Sequence, residues 1–167
     1  MPLKRLNLMC QVLFLQVFVL GSSTALAEDS LCLTGETETF SCAIKKKTVS
    51  ICETDVHKFI YRYGTRDQIE LGIASELNFS TAMYSGGSES RLTFNNDSYD
   101  YVVFSAMYSL GPATTEKDTK AGIIVVNEGK EVARLLCTAP TYLDFTFSPE
   151  SSKKISKQDN SSGFIDY

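Results

Sequence analysis

The sequence predicts an all-β domain: an antiparallel meander of about eight strands, barrel preferred over sandwich, and disulfide-bonded. Three observations carry this. Runs of β-branched and aromatic residues recur with turn signals about every ten residues after Thr37. No segment has the 3.6-residue periodicity of a convincing amphipathic helix. Four cysteines, Cys32, Cys42, Cys52 and Cys137, follow a segment with the form of an export signal. A barrel is preferred because closure removes the unpaired edges that an open sheet leaves.

The N-terminus fixes what the cysteines mean. Lys4 and Arg5 precede an apolar run from Leu8 to Leu20, and Ala25-Leu26-Ala27 supplies the small residues of a signal-peptidase site. Residues 1–27 are therefore expected to be a signal peptide, with Glu28 the mature N-terminus. The apolar run is shorter than the roughly 20 residues that span a bilayer, so no membrane span is expected after cleavage. Cys10 lies inside the apolar run and would leave with it.

Each element then has its own justification. Thr37 to Ala43 and Thr48 to Cys52 read as a hairpin turning at Lys45-Lys46-Lys47. His57 to Gly64 alternates Phe59, Tyr61 and Tyr63 against Lys58, Ile60 and Arg62, the pattern of a half-buried strand. Gln68 to Ile73 and Phe79 to Tyr84 are weaker strands, the second ending at Ser85-Gly86-Gly87, and Arg91 to Phe94 follows. Asn95-Asn96-Asp97 tolerates positive φ in a tight connection.

Tyr99 to Tyr108 has apolar residues on both faces, as a central strand should. Ile123 to Val126 is also apolar on both faces, and Asn127-Glu128-Gly129-Lys130 turns it into Val132 to Cys137 with Gly129 in the left-handed position. Tyr142 to Phe147 is a candidate last strand. Residues 28–147 thus form the β-barrel-like domain, and 148–167, polar and Ser-rich, are expected to be a flexible C-terminal tail in which Phe164 to Tyr167 could dock.

An even cysteine count in an oxidising compartment predicts two disulfides, with three possible pairings. Cys42 with Cys52, at matching ends of one hairpin, and Cys32 with Cys137 is the preferred arrangement. Nine residues separate Cys32 from Cys42 and Cys42 from Cys52, and 84 separate Cys52 from Cys137, without a close C-x-x-C pair, so no metal site is proposed.

The search for catalytic residues is negative and no cofactor is implied. His57 is the single histidine and has no nucleophile motif around it, so it reads as a surface residue. Oxidised cysteines supply no thiolate. Glu36 with Glu38 and Asp97 with Asp100 are coincidences expected among 20 acidic residues, and Ser85-Gly86-Gly87-Ser88 lacks the strand-turn-helix context of a phosphate cradle.

Net charge is −4, and loss of residues 1–27 removes two basic and no acidic residues, giving −6. Nucleic acid is excluded as a partner on that balance; a basic protein would be attracted. The segment Ser109 to Thr119 is long for a β-β connection, and Ser109, Gly111, Pro112, Glu116 and Asp118 are the candidate partner-binding residues. Eight Tyr and ten Phe supply rigid contact groups.

Cys32, Thr39-Phe40-Ser41-Cys42, Lys47-Thr48-Val49-Ser50-Ile51-Cys52, Tyr61-Arg62-Tyr63-Gly64, Glu70-Leu71 and the late Cys137 occur in an order that resembles a group of small uncharacterised exported proteins of Gram-negative bacteria. Phe40-Ser41-Cys42 and Ser85-Gly86-Gly87 are similar to segments of the periplasmic inhibitors of C-type lysozyme, small eight-stranded barrels. The Trp-Thr-Lys-Gly segment of those inhibitors is absent, since the chain has no Trp. The expectation is a periplasmic or secreted, non-enzymatic binding protein, an inhibitor or immunity protein acting on a basic cell-wall hydrolase or toxin. The alternative is an envelope-associated structural or ligand-binding module with no enzyme target.

Overall fold

A computed structural model describes residues 30–111, 114–140, 145 and 147–159. Residues 1–27, expected to be a signal peptide, and Phe164 to Tyr167 lie outside the described residues. The all-β prediction holds. β1 (Thr37–Ile44), β2 (Lys47–Glu53), β3 (Phe59–Gly64) and β4 (Ile69–Ile73) form one four-stranded meander. β5 (Leu77–Tyr84), β6 (Gly87–Asn96), β7 (Tyr99–Ser109), β8 (Lys117–Asn127) and β9 (Lys130–Leu136) form a second. After the single-turn α1 (Pro149–Ser152), β10 (Ile155–Asp159) extends this sheet in the order β10-β5-β6-β7-β8-β9.

The two sheets face one another and share one core. Phe40, Ile51 and Tyr61 from the first sheet and Leu92, Phe94, Val103 and Ile123 from the second belong to a single buried cluster. Tyr61 meets Phe94 and Tyr101 with ring centroids 5.8 and 5.5 Å apart. The preferred barrel is thus corrected to two separate hydrogen-bonded sheets. β10 is the physical reason: it pairs in parallel with β5 from Ile155↔Leu77 to Asp159↔Thr81, filling the side of β5 that a closing β4 would need.

The same strand corrects the expectation of a loose tail from residue 148. Ser148 caps α1, its side chain accepting from the Ser151 backbone N–H, with Pro149 in the first turn where its missing N–H costs nothing. Ile155 is buried in the common core. The serines that suggested looseness are in part helix-capping groups. Of the candidate strand Tyr142 to Phe147, residues 142–144 and 146 lie outside the described residues; Phe145 is a core residue and Phe147 packs against Phe59 and Phe79.

Turn chemistry follows the sequence. Glu128 and Gly129 both have positive φ, 49° and 75°, as a two-residue hairpin loop between right-twisted strands requires. Lys45 and Asp97 take left-handed φ in the β1–β2 and β6–β7 turns. β7 is central, and its outward residues Val102, Phe104 and Ala106 form a second buried cluster with Ile124. The ion pairs Glu89–Arg91 and Glu131–Arg134 stand on this face, where arginine stems can cover apolar surface.

All four cysteines are in disulfides, but Cys32 pairs with Cys52 and Cys42 with Cys137. The preferred pairing is corrected by strand register. Cys42 stands opposite Val49, and Cys52 stands opposite Glu38 beyond a bulge. Cys52 is three positions after Val49, an odd offset, so strand alternation sends Cys42 into the core and Cys52 to the outer face. Cys42 meets Cys137 just after β9, beside a Thr138 N–H to Ala43 carbonyl bond of 2.8 Å. Cys52 meets Cys32, in the N-terminal segment.

That segment, Ser30 to Glu36, lies over the outer face of β1 to β3. The Leu31 N–H donates to Ser50 Oγ at 3.0 Å, and Ser50 and Ser41 share a hydroxyl hydrogen bond of 2.7 Å. Arg62 donates through Nη1 and Nη2 to both carboxylate oxygens of Glu36, at 2.5 and 2.7 Å, and through Nη1 to the Leu31 carbonyl. On the face predicted to be polar, Arg62 is therefore buried beneath a strap that satisfies it, while Lys58 remains exposed.

Candidate functional site

The predicted partner-binding residues lie at one end of the six-stranded sheet, where two hairpins stop together. Ser109 ends β7, Gly111 and Glu116 lie in the β7–β8 connection, and Asp118 belongs to β8; Pro112 lies outside the described residues. The connection is residues 110–116, shorter than the expected Ser109 to Thr119, because Lys117 to Thr119 extend β8. Its base is fastened. Leu110 N–H donates to the Glu116 carbonyl at 3.2 Å, and Ser109 Oγ donates to the Gly86 carbonyl at 3.0 Å. Lys117 Nζ donates to the Gly86 carbonyl and to Ser109 Oγ, both at 2.7 Å. The turns β5–β6 and β7–β8 are thus tied into one rigid tip.

Asp118 has a local task. It accepts the Thr119 backbone N–H at 2.7 Å and the Tyr108 hydroxyl at 2.9 Å, which hold its carboxyl below the ordinary value; donating to Asp118 pushes the Tyr108 phenol up. Lys120 Nζ stands 4.8 Å from the Tyr108 ring centroid. Of the charged candidates Asp118 alone meets Tyr108, with Lys120 over the ring.

Sequence reasoning missed the apolar part of this tip. Met83 is 81% exposed, Leu110 56% and Tyr84 42%. The Tyr84 hydroxyl donates to the Met107 carbonyl at 3.2 Å, which lays its ring across Gly87. A Cβ on Gly87 would overlap the Met107 carbonyl oxygen and press on the Tyr84 ring. Gly87→Ala is accordingly expected to cost about 2 kcal/mol through overpacking, read as a lower thermal midpoint; an unchanged midpoint would show that the strands tolerate the side chain. The available signal was Met83-Tyr84 directly before Ser85-Gly86-Gly87: two large apolar residues carried into a turn.

His57 is better placed than the sequence suggested. Its Nδ1 lies 2.7 Å from Glu53 Oε1 and 3.3 Å from Ser151 Oγ, and Ser151 Oγ also donates to Glu53. Serine, histidine and acid are together, but a nucleophile relay needs the acid on one imidazole nitrogen and serine on the other. Here both stand at Nδ1, and Ser151 is fully buried. The arrangement orients the ring and ties α1 to β2.

Cys32, Glu36 and Cys52 present potential ligand atoms within 4.8 Å of one another. Both sulfurs are in one disulfide and Glu36 is held by Arg62, so the thiolates that bind a metal are not available in this state. Two disulfides fit an oxidising compartment. No helix among the described residues is long and apolar enough to cross a membrane. No family model, curated protein or solved structure matches this chain.

Proposed function

We propose that this chain is an exported, non-enzymatic binding protein, periplasmic or secreted, whose partner is a protein seated on the hairpin tip. The observation that carries this reading is the exposure of Met83 and Tyr84, on the two faces at the end of β5, and of Leu110 in the adjoining β7–β8 connection, beside turns tied together by Ser109, Lys117 and Gly86. Rigid aromatic and Met side chains bury large apolar area at little entropic cost, and a charged rim of Glu116, Lys117 and Lys120 excludes water around them. The acidic chain favours a basic partner, and the cell-wall hydrolases and toxins expected from the sequence are of that class.

The test uses a basic muramidase of the C-type lysozyme class as probe, with peptidoglycan turnover as readout. Saturating protein is expected to suppress turnover while releasing nothing from peptidoglycan by itself. Met83→Asp with Leu110→Asp should weaken the complex at least about 100-fold, since hot-spot side chains lose about 2 kcal/mol or more each. Association, more than dissociation, should slow with added salt. Peptidoglycan cleavage by the protein alone would overturn the non-enzymatic reading, and full muramidase activity at saturating protein would remove this partner class.

A further inference from the structure

At the far end of β5 the two sheets part around a cleft of ≈ 750 Å³. Three chain segments line it: 57–59 leading into β3, 74–77 joining the sheets, and 153–156 leading into β10. Phe59, Leu77 and Ile155 are all buried and give the cleft an apolar floor.

The charge at its rim runs against the charge of the chain. Lys58, Lys153 and Lys154 line the cleft beside one carboxylate, Glu76, in a protein of net charge −4. Lys154 Nζ is committed to the Val56 carbonyl at 2.6 Å. Lys58 and Lys153 meet no carboxylate among the described residues. His57 is held at Nδ1 by Glu53 and Ser151, while its Nε2 has no partner among the described residues. Two ammonium groups and a fixed imidazole nitrogen thus border an apolar floor.

We infer that this cleft binds a single-chain amphiphile ending in an acidic group, a phosphate or carboxylate. The acidic group lies between Lys58 and Lys153, and the hydrocarbon lies on Phe59, Leu77 and Ile155. The volume is within the roughly 300–1,000 Å³ of small-molecule sites, which pair apolar lining with a few polar groups. β5 runs from Leu77 at the cleft to Tyr84 at the tip, seven residue steps or about 23 Å. The cleft is therefore independent of the protein-binding tip, and either assignment can fail without the other.

Calorimetry on the purified chain, with octyl phosphate below its micelle concentration, tests the site. Saturable one-to-one binding is expected, with inorganic phosphate at least tenfold weaker and octyl glucoside not bound. Lys58→Gln with Lys153→Gln should weaken octyl phosphate at least tenfold and leave the thermal midpoint in place, because exposed lysines without partners carry little stability. Equal affinity for octyl phosphate in the double variant would overturn the inference, as would equal binding of octyl glucoside. Inorganic phosphate binding as tightly as octyl phosphate would make this a small-anion site instead. Co-sedimentation with phosphatidylglycerol vesicles, without binding of monomeric octyl phosphate, would make it a membrane-surface contact.

Discussion

Replacing Cys42 and Cys137 together by alanine is expected to destabilise the protein by about 4.7 kcal/mol, the value for removing a loop closure near 100 residues long. These cysteines are 95 residues apart in sequence and join β1 of one sheet to the end of β9 in the other. Their bond therefore restrains the relative position of two sheets that share a core but no ladder. A loss of this size corresponds to a fall in thermal midpoint on the order of 15 °C. Replacing Cys32 and Cys52, only 20 residues apart, removes a shorter closure and should cost about 3.3 kcal/mol. Denaturant unfolding without reductant compares the two double variants directly. A larger loss from the Cys32/Cys52 pair would mean that local packing, rather than loop length, sets the ranking.

The ranking depends on the pairing, and the pairing was not legible in the sequence. Strand positions were legible for β1 to β9, because alternation in Phe59-Ile60-Tyr61-Arg62-Tyr63 and turn residues such as Glu128-Gly129 are local signals. Cysteine pairing depends on register. A bulge between Glu38 and Phe40 and an odd offset from Val49 to Cys52 send two cysteines of one hairpin to opposite faces. Nothing in the spacing of Cys42 and Cys52 reveals that.

The second sheet failed to close for a similarly non-local reason. Ile155 sits in a polar stretch, and its partner Leu77 is 78 residues earlier. Only the tertiary fold shows that it completes an edge. The candidate tip was legible where it depended on loop length, through Ser109, Gly111 and Glu116. It was illegible where it depended on neighbouring hairpins, because the β5–β6 and β7–β8 turns, beside which Met83, Tyr84 and Leu110 are exposed, stop at one end of the sheet only once β5 to β8 are in register. Asp118 shows the same limit: it reads as a free loop charge and is a strand residue bonded to Tyr108.

Arg62→Met is expected to cost about 3 kcal/mol at neutral pH, because it leaves the Glu36 carboxylate with little solvent and no cation. The side chains of Arg62 and Glu36 are 9% and 11% exposed, so water can compensate only slightly. Glu36→Gln should destabilise in the same sense by removing the acceptor charge. It should also change the response to acid. The Arg62 hydrogen bonds, helped by the Leu33 N–H, hold the Glu36 carboxyl below its ordinary value against the opposing effect of burial. With the folded-state pKa depressed, this contribution is fully present above the unfolded value of about 4.3 and is lost as pH falls through the folded one. Stability of the natural chain should therefore decline more steeply below about pH 4 than that of Glu36→Gln, and urea melts at pH 7 and on acidification measure the difference. Asp118 and Glu131 are also held low, but both variants retain them, so their effect cancels in the comparison. Parallel acid profiles would show that Glu36 is not ionised differently in the folded state. Because Cys32–Cys52 fixes the same strap that Arg62 holds at Leu31 and Glu36, losing both restraints should cost more than the sum of the single losses.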